Sequence, residues 1–397
     1  MKRVRLLYLT YNENLVGSGI LRVQVRKMLE SLTRLEGVEA IRLVSFISAR
    51  LKSRQQVAFD QLAKVLSAQG IDLKLRLMPV ATAWGWPAML LMQPFCSGVL
   101  THDIKEFRPT VVHSRGYAAG WLLDKASKSL HVPHVFDPRG SYPEEMVKNG
   151  QWSENGPSYR NWKTIEARLI RDSAVTVGVT PLFRDEFRHR GAPRSVFIPN
   201  RCDLASFPEP EVRISSREPL MVFTGEMDSN WYAPEFVGKH FLHLSQVVPA
   251  LKLLVVTRKD PAFIREGFRK AGVPDDAWKS KGVRPEEVPE VLASASLGLM
   301  VQDYDNSWPV KFAEYLAAGI PVVLNRREES LMSSIVEKER LGVVVEADRP
   351  QTYAAILDVL DDLPAYRQRC RDFAVKHLGI ELTAKQYLRL YRSVVGA

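Results

Sequence analysis

The alternation of short apolar runs with stretches of helical periodicity constrains the fold of this chain more than any other feature. In the first 200 residues the apolar runs lie at 4–10, 40–47, 73–78, 110–113 and 133–136. Continuous apolar runs of this length are typical of parallel strands that are buried on both faces. Between them, helical spacing predicts buried faces formed by Leu21, Val25, Met28, Leu29 and Leu32 and, within 53–69, by Val57, Leu62, Val65 and Leu66. This alternation predicts an α/β fold with a doubly wound parallel sheet.

The same pattern starts again near residue 219. The apolar runs that predict a second set of parallel strands lie at 220–224, 251–257, 297–301, 322–324 and 342–345. The polar, proline-bearing stretch 199–219 separates the two patterns, and a length of 397 residues suits two domains of ordinary size. We therefore expect two doubly wound domains, with ligands at the carboxyl ends of their strands.

One segment, 307–325, combines helix signals with side chains that suit a nucleotide. Pro309 can open a helix at its first turn, and Gly319 can close it in a left-handed conformation. Lys311 and Glu314 are three residues apart, so they share one face of the first helical turns. A cation at this position can bind phosphate and a carboxylate can bind ribose hydroxyls. The alternative is an ordinary ion pair on the surface of a helix.

The residues of this segment resemble the donor-binding signature of retaining GT-B glycosyltransferases of family 4 (glycosyl transferases group 1), in the branch that assembles surface polysaccharides. The matching residues are Ser307, Pro309, Lys311, Glu314, Tyr315, Ala317, Gly319, Pro321, Val322 and Val323. The resemblance implies two Rossmann-like domains that face a central cleft. It implies an acceptor-side domain at 1–200, on which a C-terminal helix at about 381–397 packs, and a nucleotide-sugar donor domain at 201–380.

The resemblance also assigns donor contacts. Glu314 would hold the ribose, and Lys311 would bind phosphate beside Pro309 and Val310. Asn306 stands where relatives often carry an acidic residue that touches the sugar, which leaves the donor sugar open. Further donor contacts are expected in loops after strands, at Gly17, Ser18, Gly19, Gly225, Arg258, Lys259, Gly282 and Val283.

One loop departs from the pattern of the relatives. Glu226 follows Gly225, where relatives have an arginine that grips the donor diphosphate. Arg258 and Lys259, after the next predicted strand, are then the candidates for the missing positive charge.

Polar side chains after two strands of the first half are candidates for the acceptor side. The resemblance matches His113 and Arg115 to a pair whose second member contacts the transferred sugar. Arg115 cannot act as a base but can bind phosphate or a charged acceptor group, whereas a lone histidine at a strand end is commonly a packing residue. Asp137, Arg139 and Glu144 are also assigned to the acceptor side. The alternative is that Asp137 caps its turn and pairs with Arg139.

Charge is distributed unequally between the two halves. Of the formal net charge of +10, residues 1–200 carry +12 and residues 201–397 carry −2. The first half therefore suits an anionic partner, namely a membrane surface, an acidic substrate or nucleic acid, unless its charges form a scattered, solvated surface. The apolar stretch 84–92 could dock on a membrane or a lipid-linked acceptor, or it could form a core helix.

Signatures of cofactors and metals are missing from the sequence. The three cysteines, Cys96, Cys202 and Cys370, are widely spaced, which argues against a disulfide framework and fits a reducing cytosol. Asp303 and Asp305 have the letters of an Asp-x-Asp metal motif but lead directly into the donor segment. No Walker loop or zinc spacing occurs, and no apolar stretch approaches the ~18 residues of a membrane span. The resemblance implies no cofactor and no metal, and we expect a cytoplasmic protein that is peripheral at the inner face of the membrane.

The expected activity is transfer of a sugar, with retention, from a nucleotide diphosphate to a hydroxyl group of a glycan or lipid-linked acceptor. Arg115, Lys311 and Glu314 are the expected catalytic residues. The alternatives are a nucleotide-sugar 2-epimerase of the same fold, a non-catalytic nucleotide-sugar-binding protein, and a nucleic-acid-binding protein. The alternating pattern and the donor segment argue against the last, so no nucleic-acid partner is expected.

Overall fold

The computed structural model of the protein describes residues 3–78, 85–210, 218–227, 232–301, 308–325 and 330–395. Contacts divide the chain into two compact units, one formed by Met1–Pro199 with Ile380–Ala397 and the other by Asn200–Gly379. None of the helices within the described ranges is long and apolar enough to cross a membrane.

The first unit is built on a seven-stranded sheet of order β3-β2-β1-β4-β5-β6-β7, in which every pairing is parallel. Its strands are β1 Val4–Tyr11, β2 Val38–Ser48, β3 Ile71–Met78, β4 Val111–Arg115, β5 His134–Asp137, β6 Val175–Gly178 and β7 Ser195–Phe197. The first five confirm the sequence prediction, whereas the short strands β6 and β7 were not predicted. The strand order reverses between β1 and β4, which is the point where doubly wound sheets bind ligands.

Helices accompany this sheet. They are α1 Gly19–Leu21, α2 Met28–Thr33, α3 Ala49–Arg54, α4 Gln56–Ala68, α5 Gly85–Phe107, α6 Tyr117–Leu130, α7 Tyr142–Lys148, α8 Pro157–Asp172, α9 Pro181–His189 and α17 Ile380–Val394, with a π-helical segment Arg22–Lys27 joining α1 to α2. The buried face of α17 packs in the same hydrophobic cluster as β1 and α2, through Ile380, Ala384, Tyr387, Leu388 and Tyr391.

The predicted inner face of α4 was partly wrong. Val57 and Val65 are 71% and 47% exposed, whereas Phe59, Leu62 and Leu66 are buried. The predicted single helix is broken at Gln55, whose φ of −127° separates α3 from α4. The buried face of α4 is therefore formed by Phe59, Leu62 and Leu66, which are spaced three and four residues apart. By contrast, the predicted face of the first helix is confirmed, because all five apolar residues predicted to form it are buried.

The second unit is built on a six-stranded parallel sheet of order β10-β9-β8-β11-β12-β13. Its strands are β8 Leu220–Thr224, β9 Lys252–Val256, β10 Trp278–Lys281, β11 Leu297–Met300, β12 Val322–Asn325 and β13 Gly342–Val345. Its helices are α10 Pro234–Val247, α11 Pro261–Ala271, α12 Val288–Ala293, α13 Val310–Ala317, α14 Leu331–Lys338, α15 Ile356–Asp361 and α16 Leu363–His377. The strand order reverses between β8 and β11, and only β10 was not predicted. Two Rossmann-like parallel sheets confirm the predicted fold class.

Local signals determine both ends of α13. Pro309 is the N-cap, with ψ 145°, and not the first helical residue as predicted. Gly319 adopts the predicted left-handed conformation with φ +68°. The N–H of Gly319 donates to the carbonyl of Leu316 and the N–H of Ile320 to that of Tyr315, which together form a Schellman motif. The helix therefore ends before β12 begins.

Candidate functional site

The amine of Lys311 occupies an enclosed position at the start of α13. The residue is 8% exposed, and its Nζ lies 3.7 Å from the centre of the Tyr232 ring and 4.1 Å from that of Phe223. Nζ is buried and has no hydrogen-bond partner in the described parts of the chain. A Cβ atom placed on Gly225, which has φ +131°, would lie 3.4 Å from Nζ, so the absence of a side chain there keeps space beside the amine. The turn after β8 and the first turn of α13 thus form one small site.

Burial changes the protonation of this amine. Loss of solvation lowers the pKa of Lys311 to about 7, while the negative charge of half-buried Glu314 opposes that shift. A lysine of this kind can donate a strong, charge-assisted hydrogen bond to an anionic ligand, because no ion pair with another described residue has to be broken first.

Tyr315 holds α13 against the sheet in the orientation that places Lys311 and Glu314. Its hydroxyl accepts a 2.8 Å hydrogen bond from the backbone N–H of Thr224, at the end of β8. Its ring packs on β11 at Gly298, where an added Cβ would come within 2.4 Å of the ring. Tyr315 is wholly buried, so this contact fixes the helix close to the carboxyl end of β8.

The loops after β8 and β9 carry an ion pair. The side chains of Glu226 and Arg258 approach to 3.1 Å, and both are exposed. The positive charge that the sequence suggested at Arg258 is therefore offset by the carboxylate of Glu226. Lys259 is exposed in the same loop. The role of both cations in donor binding stays a prediction.

Two further donor-side predictions lie near the ends of neighbouring strands. Gly282 directly follows β10, and a Cβ added to it would lie 3.5 Å from the carbonyl oxygen of Thr257, which follows β9. Val283 is half-buried and packs against the core that contains α13. Asn306 and Ser307 lie outside the described residues, as do Asp303 and Asp305.

A second group of charged side chains lies at the carboxyl ends of β1 and β4 in the first unit. Arg115 is 7% exposed, and its Nε donates to Glu13 at 3.0 Å. The Nη1 of Arg115 is buried without a hydrogen-bond partner among the described residues. Burial raises the pKa of Glu13, although the charge of Arg115 opposes that shift. Sequence reasoning missed Glu13, and its only signal was a lone carboxylate in the loop between β1 and the first helix.

Asp137, at the end of β5, is the centre of the neighbouring buried cluster. Its Oδ2 accepts hydrogen bonds from Arg139 Nη1 at 3.2 Å and from the Tyr387 hydroxyl at 3.0 Å, and it lies 3.6 Å from His113 Nε2. Burial alone would raise the pKa of Asp137, but the charges of Arg139 and its other partners lower it below its ordinary value. The pairing of Asp137 with Arg139 in the alternative is therefore observed, whereas Oδ1 of Asp137 has no hydrogen-bond partner among the described residues and caps no turn there.

His113 has the surroundings of a packing residue. It is wholly buried, its ring stacks on Tyr8 with 4.4 Å between centroids, and its Nδ1 lies 2.8 Å from the Tyr391 hydroxyl. Loss of solvation lowers the pKa of His113, although Asp137 opposes that shift. His113 and Asp137 are both enclosed, and contact of Arg115 or Arg139 with an acceptor stays a prediction.

The glycine loop after β1 is ordered by local hydrogen bonds. Asn14 Oδ1 accepts from the N–H groups of Val16 and Gly17 at 3.2 and 3.0 Å. Ser18 caps the helix that begins at Gly19 by accepting from the N–H of Leu21 at 3.4 Å. These bonds give the loop a defined shape, and its contact with the donor stays a prediction.

Two other candidate groups are engaged in ion pairs. Glu144 is exposed and pairs with Lys163 at 2.7 Å. His102, Asp103 and Glu106, on α5, have the spacing of metal ligands, but their carboxylates already pair with arginines, Asp103 with Arg76 and Glu106 with Arg42. These pairs do not favour a metal there.

Comparison with known proteins gives matches for both units. Residues 22–201 match the family model described as a glycosyl transferase 4-like domain, and residues 218–362 match the one described as glycosyl transferases group 1. No curated protein matches the chain.

Several solved structures are similar over nearly the whole chain. Sucrose-phosphate synthase (tll1590) from Thermosynechococcus elongatus has 16% identity and a TM-score of 0.66 over 99% of each chain. Anabaena Alr3699/HepE, solved in complex with UDP-glucose, has 14% identity and a TM-score of 0.66 over 98% of this chain and 100% of its own. A glycosyltransferase from Rickettsia africae has 13% identity and a TM-score of 0.64 over 100% of both chains. At these identities the likeness shows the shared fold.

Proposed function

Because this chain is a glycosyltransferase of GT-B fold, built from a glycosyl transferase 4-like domain and a glycosyl transferases group 1 domain, we propose that it moves a sugar, with retention, from a nucleotide diphosphate to a hydroxyl acceptor. The observation that carries the proposal is the enclosed amine of Lys311, which lies beside Glu314 and has no hydrogen-bond partner among the described residues. A cation beside a carboxylate suits a phosphate and the hydroxyls of a neighbouring ribose, which supports the proposal.

The donor is proposed to bind in the second unit. Lys311 binds a phosphate oxygen in the space beside Gly225, and Glu314 accepts hydrogen bonds from the ribose hydroxyls. A hydrogen bond between a charged group and a buried ligand contributes about 1.5–3 kcal/mol. The structure of HepE with UDP-glucose supports a nucleotide-sugar donor by likeness of fold. Backbone groups at Gly282 and Val283 are proposed to meet the base.

The chemistry is proposed to need no metal. The bond from the anomeric carbon to the diphosphate breaks while the acceptor oxygen attacks the same face, and the leaving phosphate takes the acceptor proton. Lys311 and the backbone N–H groups of the first turn of α13 stabilise the developing negative charge. Arg115 and Arg139 in the first unit hold the acceptor or the sugar.

The acceptor is proposed to be a growing surface glycan or a lipid-linked sugar. The positive charge of residues 1–200, +12 against −2 for the rest, supports an anionic partner for the first unit. Such a charge would hold the enzyme at the cytoplasmic face of an anionic membrane, as a peripheral protein.

Calorimetric binding of UDP-, GDP-, ADP- and dTDP-glucose in EDTA tests the donor site. We expect one nucleotide to bind without metal and Glu314→Ala to weaken it about 10- to 150-fold, the equivalent of ~1.5–3 kcal/mol. Glu290→Ala, at an exposed position of α12, is the matched control and should bind normally. If no nucleotide binds, or if both variants bind like the wild type, the donor-site assignment is wrong.

The nucleotide sugar that binds is then incubated with lipid-linked glycan acceptors. Proton NMR of the new anomeric centre should show the configuration of the donor. A product of opposite configuration would contradict the proposed retention.

A further inference from the structure

Lys311 presents a difficulty for a simple phosphate site. Its amine is buried between the faces of Phe223 and Tyr232, at 4.1 and 3.7 Å, and has no hydrogen-bond partner in the described parts of the chain. An ammonium in such a place loses its hydration and gains no counter-ion in contact. Aromatic faces attract a cation, but by less than full desolvation costs it.

Among the residues that the structure describes, the groups that face the amine do not supply a strong counter-charge. On α13, Glu314 lies on the same face one turn later and is half-buried, and the hydroxyl of Tyr315 is engaged with Thr224. At the turn after β8, Gly225 has no side chain, and Glu226 is paired with Arg258 at 3.1 Å.

Burial has a larger effect on the protonation of Lys311 than the nearby charges do. Loss of solvation lowers the pKa of Lys311 to about 7, and the charge of Glu314 only partly opposes it. A phosphate that enters beside the amine reverses the balance, because an anion in contact stabilises the charged form and raises the pKa. The amine then gains a counter-ion in direct contact, which none of the described residues provides.

We propose that Lys311 is largely an uncharged amine while the site is empty at slightly alkaline pH, and that it takes up one proton from solvent as the donor diphosphate binds. This inference rests on the proposed donor function of the site. Its consequence is that donor affinity depends on pH through this single side chain, falling as pH rises above neutrality.

Calorimetry in pairs of buffers that differ in ionisation enthalpy measures the proton uptake directly. The probe is the nucleotide sugar selected by the panel above, beginning with UDP-glucose, because its diphosphate has no group that titrates near neutrality. With a free-site pKa of about 7, linkage predicts uptake of about 0.9 proton per bound donor near pH 8 and about 0.1 near pH 6. The dissociation constant should rise up to about tenfold per pH unit above pH 7.

Two variants separate the role of Lys311 from other titrations. Lys311→Met has no titrating group, so any residual binding should proceed without uptake at this site. Lys239→Met, at an exposed position of α10 where the lysine pairs with Glu235, is the control and should keep the full uptake. The wild-type measurement does not depend on either variant folding well.

A measurement on the free enzyme needs no donor. In protein labelled with ¹³C-lysine, the ε-methylene signal that is missing from Lys311→Met should titrate near neutrality. A titration of that signal near the ordinary lysine value would overturn the inference.

The outcomes distinguish this inference from the proposed function. If a nucleotide sugar binds near pH 8 with the same enthalpy in every buffer, proton uptake is wrong and the donor site stands. If no nucleotide sugar of the panel binds, the donor function itself fails, and the coupling fails with it.

Discussion

The hydroxyl of Tyr387 donates a 3.0 Å hydrogen bond to Oδ2 of Asp137, although the two residues are 250 positions apart in the sequence. Both side chains are buried, at 3% and 1% exposure. The same carboxylate oxygen accepts from Arg139 at 3.2 Å. The bond therefore joins α17 to the end of β5, at the cluster that is proposed to present the acceptor.

Tyr387→Phe tests the contribution of this bond to stability. The change removes a hydrogen bond to a buried carboxylate, so we expect the free energy of unfolding to fall by about 1.5–3 kcal/mol. Urea unfolding measures it. Tyr159→Phe is the control, because the Tyr159 hydroxyl bonds the exposed Glu144 at 3.4 Å and should contribute little. Equal effects of the two variants would mean that the buried bond contributes nothing beyond an exposed one.

Asp137 should make the first unit sensitive to acid. Burial would raise the pKa of Asp137, but its cationic partners lower it below the ordinary value of 3.8. A carboxyl group whose pKa is lowered in the folded state contributes stability above its unfolded pKa, and this contribution is lost as pH falls below about 4.

Asp137→Asn should therefore cost about 3 kcal/mol near pH 7, as expected when one partner of a buried pair is removed. The difference from the wild type should shrink as pH falls below about 4. Guanidinium unfolding at several pH values measures it, with the exposed Asp60→Asn as control. A difference that stays constant with pH would contradict the assignment of a charged Asp137.

Lys311→Met should stabilise the enzyme without donor. The folded pKa of about 7 lies below the ordinary 10.5, so between these values the unfolded chain holds a proton that the folded chain does not. The burial of Lys311 therefore lowers the free energy of unfolding by its full amount below pH 7, and this effect disappears as pH rises to about 10.5.

We expect Lys311→Met to raise the free energy of unfolding by about 2–4 kcal/mol near pH 6.5 and by about 1 kcal/mol near pH 9.5. Urea unfolding at the two pH values measures the free energy of unfolding. Donor binding, measured on the same samples, shows whether the gain in stability is accompanied by a loss of affinity. A destabilised variant would show that Lys311 has a structural partner that offsets its burial.

Glu226→Gln should strengthen binding of the donor diphosphate. The change removes a negative charge beside Gly225 and releases Arg258, which now pairs with Glu226 at 3.1 Å. Both groups are exposed, so we expect a gain of only about 3- to 10-fold, as exposed charges are screened by solvent. Calorimetry measures it, with Glu235→Gln in the exposed pair with Lys239 as the matched control. Weaker binding would show that Glu226 itself contributes to the site.

Local sequence signals account for what could be predicted of the fold. The continuous apolar runs predicted ten parallel strands, because a strand buried on both faces needs no polar side chains. The strands that were missed are short, and β10, Trp278–Lys281, is an edge strand with the polar sequence Trp-Lys-Ser-Lys. Edge strands need apolar residues only where they meet the core, so periodicity does not reveal them.

The sequence by itself determined α13 and the spacing of Lys311 and Glu314, because capping by Pro309 and Gly319 acts within a few residues. Only the tertiary structure decided what surrounds that lysine. Phe223 and Tyr232 approach it from about 80–90 positions away in the sequence, and their approach removes the solvent that sets its pKa. The contact between Glu13 and Arg115, which are 102 positions apart, is likewise decided by the tertiary structure. Burial and charge depend on packing between distant segments, which no local pattern records.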